Sequence, residues 1–151
     1  HLPTISRMEG LETLIFDNCK NIIGIPHLPL SISYLKIANM RIEKDIEMIS
    51  ECRNLEKLEL KNIHSEEEQI LPKFKNGIIR ELTFVIVKNI FFDENFFSSS
   101  ENLEKLVLCS VPVQNLRQDY SECRSLRYLE ISYLNQEVYD KMVHPNSFQS
   151  S

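Results

Sequence analysis

A single spacing of apolar residues recurs six times along the chain. Each copy has the form L-x-x-L-x-L, with Ile or Phe allowed at an apolar position, and successive copies begin 21, 23, 24, 24 and 23 residues apart. The six copies begin at Leu11, Ile32, Leu55, Ile79, Leu103 and Leu126. A further apolar residue lies eight residues after each start. Four apolar positions that align through six copies indicate an internal repeat, in which each copy forms one turn of a stacked structure.

The L-x-x-L-x-L segment of each repeat predicts a short strand. Side chains alternate between the two faces of a strand, so the apolar positions enter a core and the intervening residues lie on the opposite face. The pattern and its period are typical of leucine-rich repeats. We therefore expect an α/β leucine-rich-repeat solenoid of about six repeats, with a curved parallel sheet on its concave side and short helices and extended turns on its convex side.

Several segments between the strands have helical apolar spacing. Apolar residues at three- and four-residue intervals predict an amphipathic helix of about three turns over residues 42–52. Ser65 and the three glutamates after it predict the capped start of a helix. Pro72 and Gly77 would keep that helix short. The same reasoning predicts a brief helix after Asp93, one over residues 116–123, and one with Val138 and Met142 facing inward that ends at Pro145.

The first segment between strands differs from the others. Pro26 and Pro29 remove amide donors and fix φ, so this return is predicted to be extended. Asn18, Asn39 and Asn62 occupy one position of three successive repeats and could supply part of an asparagine ladder.

The repeats also suggest how the chain is organised. Residues 1–10 resemble the end of a preceding repeat, residues 11–145 form the repeat array, and residues 146–151 are a polar tail. Solenoids need polar capping repeats at their ends, and neither end of this sequence has an evident cap. We therefore expect the chain to be a piece of a longer array, or of a protein with further domains.

Composition and cysteine placement limit the partners. A formal net charge of −5 argues against a nucleic-acid ligand, and no apolar run approaches the ~18 residues of a membrane span. Cys52 and Cys123 occupy one repeat position three strands apart, roughly 14 Å, whereas a disulfide needs Cα atoms within about 7 Å. Cys19 and Cys109 are no better placed. Four reduced thiols predict a cytoplasmic or nuclear protein.

Catalytic and metal sites are not predicted. The sequence has no C-x-x-C or H-x-x-x-H spacing that would suggest zinc. None of its four histidines is paired by spacing with a serine, cysteine or carboxylate. We expect no enzyme activity, no catalytic residue, no metal and no cofactor.

Two repeats carry a cysteine at a characteristic place. Residues 52–60 and 123–131 read C-x-x-L-x-x-L-x-L. This resembles the cysteine-containing repeats of F-box substrate receptors. It is also similar to the repeats of plant intracellular immune receptors, in which a Leu-Pro-rich return such as residues 25–30 is common. The resemblance covers nearly the whole chain. It implies substrate recognition for a ubiquitin ligase or ligand recognition in an immune receptor, both by protein binding.

The residues between the apolar positions are the candidate binding residues. They carry both signs of charge, and tyrosine and arginine are residue types that dominate binding energy at interfaces. We predict that a partner protein, or another domain of the same chain, contacts Tyr34, Lys36, Lys57, Glu59, Glu81, Lys105, Val107, Arg127, Tyr128 and Glu130. Val107 is expected to meet water there. The alternative is a structural segment that docks within a larger assembly. One or two of Phe91, Phe92, Phe96 and Phe97 would then be exposed while the others pack in the core.

Overall fold

The computed structural model describes residues 4–144, which contain a six-stranded parallel sheet. The strands lie side by side in chain order, so each return segment crosses over to the next strand. They are β1 Thr13–Asp17, β2 Tyr34–Arg41, β3 Lys57–Leu71, β4 Glu81–Phe92, β5 Lys105–Cys109 and β6 Tyr128–Ser132. The chain is thus a parallel-sheet solenoid of about five turns, which confirms the predicted solenoid, for which about six repeats were expected.

The pairing register confirms the repeat alignment. The third residues of the repeats lie opposite one another across the whole sheet: Thr13, Tyr34, Lys57, Glu81, Lys105 and Tyr128. The fourth residues of the four inner repeats fill the core and are 0% exposed: Leu35, Leu58, Leu82 and Leu106. A one-residue slip would turn every one of these side chains outward, so their burial fixes the register.

Regular helices are few. The described residues contain α1 (Glu47–Ser50), α2 (Gln136–Val143) and 3-10 turns at Ile5–Arg7 and Val113–Leu116. The three-turn helix predicted over residues 42–52 is wrong, since only α1 forms there. Asp45 has φ of 62°, a left-handed conformation that an α-helix cannot include. The predicted apolar positions of this segment are nonetheless buried: Ile42, Ile46, Ile49 and Cys52.

The helix predicted to start at Ser65 is also wrong. β3 continues through this segment to Leu71, and its register with β4 shifts between His64 and Gln69. The carboxylate of Glu43 accepts hydrogen bonds from the Glu66 amide at 3.1 and 3.2 Å and from the Ser65 hydroxyl at 3.2 Å. An acid from the preceding turn therefore satisfies the donors of this bulge, and no helix is needed to do so.

The phenylalanine cluster packs in the core. Phe96 and Phe97 are each 1% exposed, as predicted, although the segment after Asp93 forms turns and not the expected helix. The rings of Phe92 and Phe96 stack with centroids 4.4 Å apart, and those of Phe96 and Phe97 meet edge to face at 4.9 Å. Phe91 alone of the predicted cluster is half-buried.

The segment after β5 lacks its predicted helix, whereas the segment after β6 has its predicted helix but with a different burial. The expected helix over residues 116–123 is a 3-10 turn, Val113–Leu116, followed by irregular chain. The helix carrying Val138 and Met142 does form, but these residues are 40% and 50% exposed and do not face inward. Its predicted end at Pro145, the polar tail and residues 1–3 lie outside the described residues. The first return is extended and without a helix, as predicted.

The predicted asparagine ladder forms in part: side-chain hydrogen bonds join Asp17, Asn39 and Asn62 across the first three strands, and Asp17 takes the place expected of Asn18. Asn18, Asn39 and Asn62 have φ of 57°, 56° and 54°. The Asn39 side-chain amide donates to Asp17 Oδ1 at 2.9 Å, and that of Asn62 donates to Asn39 Oδ1 at 3.1 Å. Asparagine tolerates the left-handed conformation better than most residues. The same repeat position is Ile86 in the fourth repeat, with φ of 56°, so the ladder ends there.

We expect Asn39→Ala to destabilise the chain by about 1–2 kcal/mol, because alanine is disfavoured at positive φ and forms no ladder hydrogen bond. Asn39→Gly removes the same side chain but accepts the backbone conformation. Urea unfolding should therefore show glycine to be the milder change. Equal stability of the two variants would mean that the left-handed conformation at residue 39 costs nothing.

The four cysteines are free thiols, as the repeat geometry predicts. Burial, together with the charge of Glu51, raises the pKa of Cys52 to about 11. The thiol is therefore protonated at neutral pH and behaves as a small apolar group of the core.

Candidate binding surface

The side chains that alternate with the core residues form the outward face of the sheet. It consists of the third and fifth residues of each repeat, together with the second residues that precede the strands. Its exposure varies: Ile15 is 52% and Tyr128 49% exposed, whereas Glu59 is only 9% exposed. The exposed fraction of each side chain depends on its neighbours on the adjacent strands.

Tyr34 and Glu59 form the centre of a first polar cluster. The Tyr34 hydroxyl donates to Glu59 Oε1, and Lys61 Nζ lies 3.0 Å from Glu59 Oε2. Lys57 Nζ lies 3.8 Å from Glu59 and 4.0 Å from Glu81. The same ammonium stands 4.9 Å from the centroid of the Tyr34 ring, within the range of a cation–π contact. Tyr34 is thus held by Glu59 at its hydroxyl and by Lys57 at its ring.

The charges of this cluster reinforce one another. Burial alone would raise the pKa of Glu59, but the hydrogen bond from Tyr34 and the charges of Lys61 and Lys57 outweigh it and keep the pKa below its usual value. The ionised carboxylate therefore stabilises the fold at neutral pH, and that stabilisation is lost as the pH falls through this pKa. The hydrogen bond to Glu59, with burial, raises the pKa of Tyr34 to about 12, so the phenol remains a donor.

A second cluster of the same chemistry lies at the other end of the sheet. The Tyr128 hydroxyl donates to Glu130 Oε1 at 2.9 Å, and the Ser132 hydroxyl donates to Glu130 Oε2 at 3.1 Å. Lys105 Nζ stands 5.4 Å from the centroid of the Tyr128 ring. A tyrosine held by a glutamate and a lysine therefore occurs twice on the outward face, once at β2 and β3 and once at β5 and β6.

A row of alternating charges runs along the second residues of four successive repeats. Arg80 lies 3.4 Å from Glu56 and 3.8 Å from Glu104. The guanidinium of Arg127 lies 2.9 Å from the Glu104 carboxylate. These exposed pairs contribute little to stability individually, but together they order long side chains along one edge of the outward face.

Val107, on β5, is more covered than predicted. Val107 is 8% exposed, so the expectation that it meets water is wrong. It lies in register between Thr83 and Glu130 on the two adjacent strands. Cys109, two residues further on, is 6% exposed. The surface thus has two polar clusters, and the buried Val107 and Cys109 lie on β5 beside the second of them.

The structure brings most of the predicted residues together in these clusters. Tyr34, Lys57, Glu59 and Glu81 meet in the first, and Lys105, Tyr128 and Glu130 in the second. Arg127 joins the row of charges, whereas no contact ties Lys36 into a cluster beyond its register position opposite Glu59. Lys61 was missed, because the prediction stopped at the fifth residue of each repeat. The period-two alternation, continued to the seventh residue, would have found it.

A cleft of about 610 Å³ lies at the carboxyl edge of the sheet, beside α2. Phe91, Pro112, Tyr133 and Tyr139 contribute apolar and aromatic surface to it. Lys88 Nζ stands 5.0 Å from the centroid of the Tyr139 ring. This edge cleft is separate from the outward face.

Two absences within residues 4–144 limit the kinds of site that this part of the chain can form. This part of the chain has no group of three or more histidine, cysteine, aspartate or glutamate residues placed to hold a metal ion. None of its helices has the length and apolar character needed to cross a bilayer. Comparison with protein-family models, curated proteins and solved structures finds no match to this chain.

Proposed function

We propose that the chain is a leucine-rich-repeat array that recognises a partner protein through its outward face. One observation carries this proposal: two tyrosines, each held by a glutamate and a lysine, lie on the outward face of one sheet, at β2 and at β6. Tyrosine supplies large contact area, and a side chain that is already ordered loses little entropy on binding. In this role the chain binds and does not catalyse.

The charges of the face suit a partner that is itself of mixed charge. Lysines, arginines and glutamates alternate over short distances, which favours specificity through complementary pairs and disfavours a polyanion or polycation. We infer a protein ligand of this kind, in the cytoplasm or nucleus where unpaired thiols persist.

Two biological settings fit the cysteine-containing repeats. Cys52 and Cys123 are buried at equivalent places, 5% and 8% exposed, where the resemblance to F-box receptors and plant immune receptors lies. The chain would be the substrate-recognition part of a ubiquitin-ligase receptor or the sensing part of an intracellular immune receptor. A structural segment that docks within its own assembly is the second candidate. Leu129 and Ile131 favour it, because these core-type residues are 51% and 46% exposed.

The double variant Tyr34→Ala/Tyr128→Ala should lose the partner. Truncation of a tyrosine that is an interface hot spot costs about 2 kcal/mol or more, so we expect at least a ~10-fold weaker interaction. Affinity purification from cells with quantitative mass spectrometry measures this loss. A thermal melt of the purified variant shows that it remains folded.

Tyr133→Ala/Tyr139→Ala is the matched control, since both tyrosines lie at the edge cleft and off the outward face. It should retain the partner. If this control loses the partner and the folded Tyr34→Ala/Tyr128→Ala variant keeps it, the outward face is not the binding surface.

A further inference from the structure

The edge cleft crosses several turns of the solenoid. Its walls include Glu68 of β3, Lys88 and Phe91 of β4, Pro112 in the segment after β5 and Tyr133 after β6. Adjacent strands lie about 4.8 Å apart, so the lining from β3 to the end of β6 covers three strand steps, roughly 14 Å. A ligand that fills this cleft would therefore be elongated and would run across the strands.

Contacts within the protein hold the two tyrosines of the cleft in place. The Tyr133 hydroxyl donates a hydrogen bond to the Val111 carbonyl at 3.4 Å. Tyr139 lies on α2, and its ring centroid stands 5.0 Å from Lys88 Nζ. Because both rings are positioned by residues of earlier repeats, a ligand would lose little free energy in ordering them.

We propose that the edge cleft binds a proline-rich segment of another polypeptide in the polyproline II conformation, with a lysine or arginine of that segment beside Glu68. Aromatic-lined grooves are where such segments dock, since the ligand is already extended before it binds. The edge cleft is a different surface from the outward face, and binding there does not depend on the function proposed above.

The aromatic lining supplies apolar surface at a suitable spacing. Tyr133 is 56% exposed, so much of its ring is open to a ligand. Phe91 and Tyr133 belong to the fourth and sixth repeats, which are two strand steps or roughly 10 Å apart. One turn of polyproline II has three residues with a rise of ~3.1 Å each, about 9 Å in all. The two prolines of a Pro-x-x-Pro sequence would therefore reach the two rings in turn.

The polar groups of the cleft suit a ligand that lacks amide donors. Proline has no backbone N–H, so a proline-rich segment presents mainly carbonyl acceptors. The Gln114 side chain is exposed and makes no hydrogen bond within residues 4–144. The Tyr139 hydroxyl likewise has no hydrogen-bond partner in this part of the chain. Both groups can donate to carbonyl oxygens of the segment.

The basic residue of the ligand follows from the charges at the rim of the cleft. Glu67 and Glu68 are exposed, and neither forms an ion pair within residues 4–144. The lining also contains Lys88, but its ammonium is already placed against the Tyr139 ring. A lysine or arginine at one end of the segment would therefore meet an uncompensated carboxylate at Glu68.

A second copy of this chain fits the cleft less well. Its sequence has one Pro-x-x-Pro spacing, from Pro26 to Pro29. Pro29 is buried, and Ile25 beside Pro26 is 3% exposed. This segment is thus packed into its own repeat, and its prolines could reach another copy only after that repeat had opened.

A synthetic peptide tests the proposal. The peptide Arg-Pro-Ala-Leu-Pro-Ala-Leu-Pro-Arg has the proline spacing and a basic residue at each end, so that one arginine reaches Glu68 in either orientation. Labelled with a fluorophore, it should bind the 151-residue protein saturably in fluorescence anisotropy. We expect Tyr133→Ala/Tyr139→Ala to weaken binding at least ~10-fold, because both rings contact the segment. A melt of this variant verifies that the protein is folded.

Two substitutions of exposed side chains test the charge and the donor separately. Glu68→Lys should weaken binding by about 2–5-fold, the range of a single exposed ion pair, and favour a peptide with glutamate at both ends. Gln114→Leu should weaken binding by about 2–10-fold through the loss of one hydrogen bond. Tyr34→Ala, on the outward face, should leave peptide binding unchanged.

Several results would overturn the proposal. One is the absence of saturable binding to the unaltered protein. Another is equal binding by folded Tyr133→Ala/Tyr139→Ala, which would place the peptide elsewhere. Equal binding of a peptide with alanine in place of every proline would make the cleft a general apolar site. Self-association that Tyr133→Ala/Tyr139→Ala abolishes would make a second copy the occupant. If that variant does not fold, unchanged binding by both Glu68→Lys and Gln114→Leu would overturn the proposal instead.

Discussion

Leu58→Asp is expected to unfold the chain. Leu58 is 0% exposed and lies in register between Leu35 and Leu82, both also 0% exposed. An uncompensated charge at such a position costs several kcal/mol, a large part of the 5–15 kcal/mol that separates folded from unfolded domains. Circular dichroism should show loss of strand signal, or a Tm lowered by well over 10 °C.

Leu129→Asp is the matched control, because Leu129 occupies the same repeat position in β6 and is 51% exposed. It should cost at most about 1 kcal/mol, since its charge remains in water. A Leu58→Asp variant with an unchanged Tm would contradict the burial of this position and the repeat alignment with it.

Asn115 is expected to give the second large effect. The residue is 1% exposed, and its side-chain amide donates to the Ile90 carbonyl at 2.9 Å and accepts from the Phe92 amide at 2.8 Å. It thereby replaces a neighbouring strand at the point where β5 has ended and β4 continues. Asn115→Leu leaves both backbone groups buried without partners, and each such group costs about 1–3 kcal/mol. Urea unfolding should show a loss of about 2–6 kcal/mol.

Gln114→Leu provides the control, because the neighbouring side chain is exposed and makes no hydrogen bond in the structure. Its stability should change by no more than about 0.5 kcal/mol. Hydrogen exchange adds a local measurement: the Phe92 amide should exchange faster in Asn115→Leu than in the unaltered chain. An Asn115→Leu variant within 1 kcal/mol of the unaltered chain would show that water or another group replaces the amide.

The repeat segment of each strand could be predicted residue by residue because two constraints coincide there, whereas the extension of β3 to Leu71 was not predicted. A period-two alternation and a repeat of fixed length both demand that Leu35, Leu58 and Leu82 face the core, and only one register satisfies both. The prediction was therefore correct for the order, direction and alignment of the strands.

The return segments could not be predicted as well, because burial of one side does not specify a helix. Ile42, Ile46 and Ile49 are buried, as helical spacing requires, yet a chain of turns around α1 buries them equally. The positive φ of Asp45 breaks the segment. Glu43 lies in the same segment, and its carboxylate accepts hydrogen bonds from the bulge at Glu66. Such a long-range partner leaves no local signal in the sequence.

For the candidate binding surface, too, some features could be predicted from the sequence and others could not. The alternation of side chains places Tyr34, Lys57 and Tyr128 on the outward face without any knowledge of the structure. Which hydroxyl meets which carboxylate depends on rotamers and on neighbouring strands, as the hydrogen bond from Tyr34 to Glu59 illustrates. The burial of Val107 likewise results from its neighbours and not from its own position in the repeat.

The buried cysteines have a kinetic consequence. Burial, with nearby acids, raises the pKa of Cys52 to about 11 and also raises that of Cys123. Thiol reagents attack the thiolate, so each sulfur reacts at neutral pH chiefly when its own turn opens to water. The two residues lie three repeats apart. Their separate labelling rates would therefore report whether the solenoid loosens first near its end or along its whole length at once.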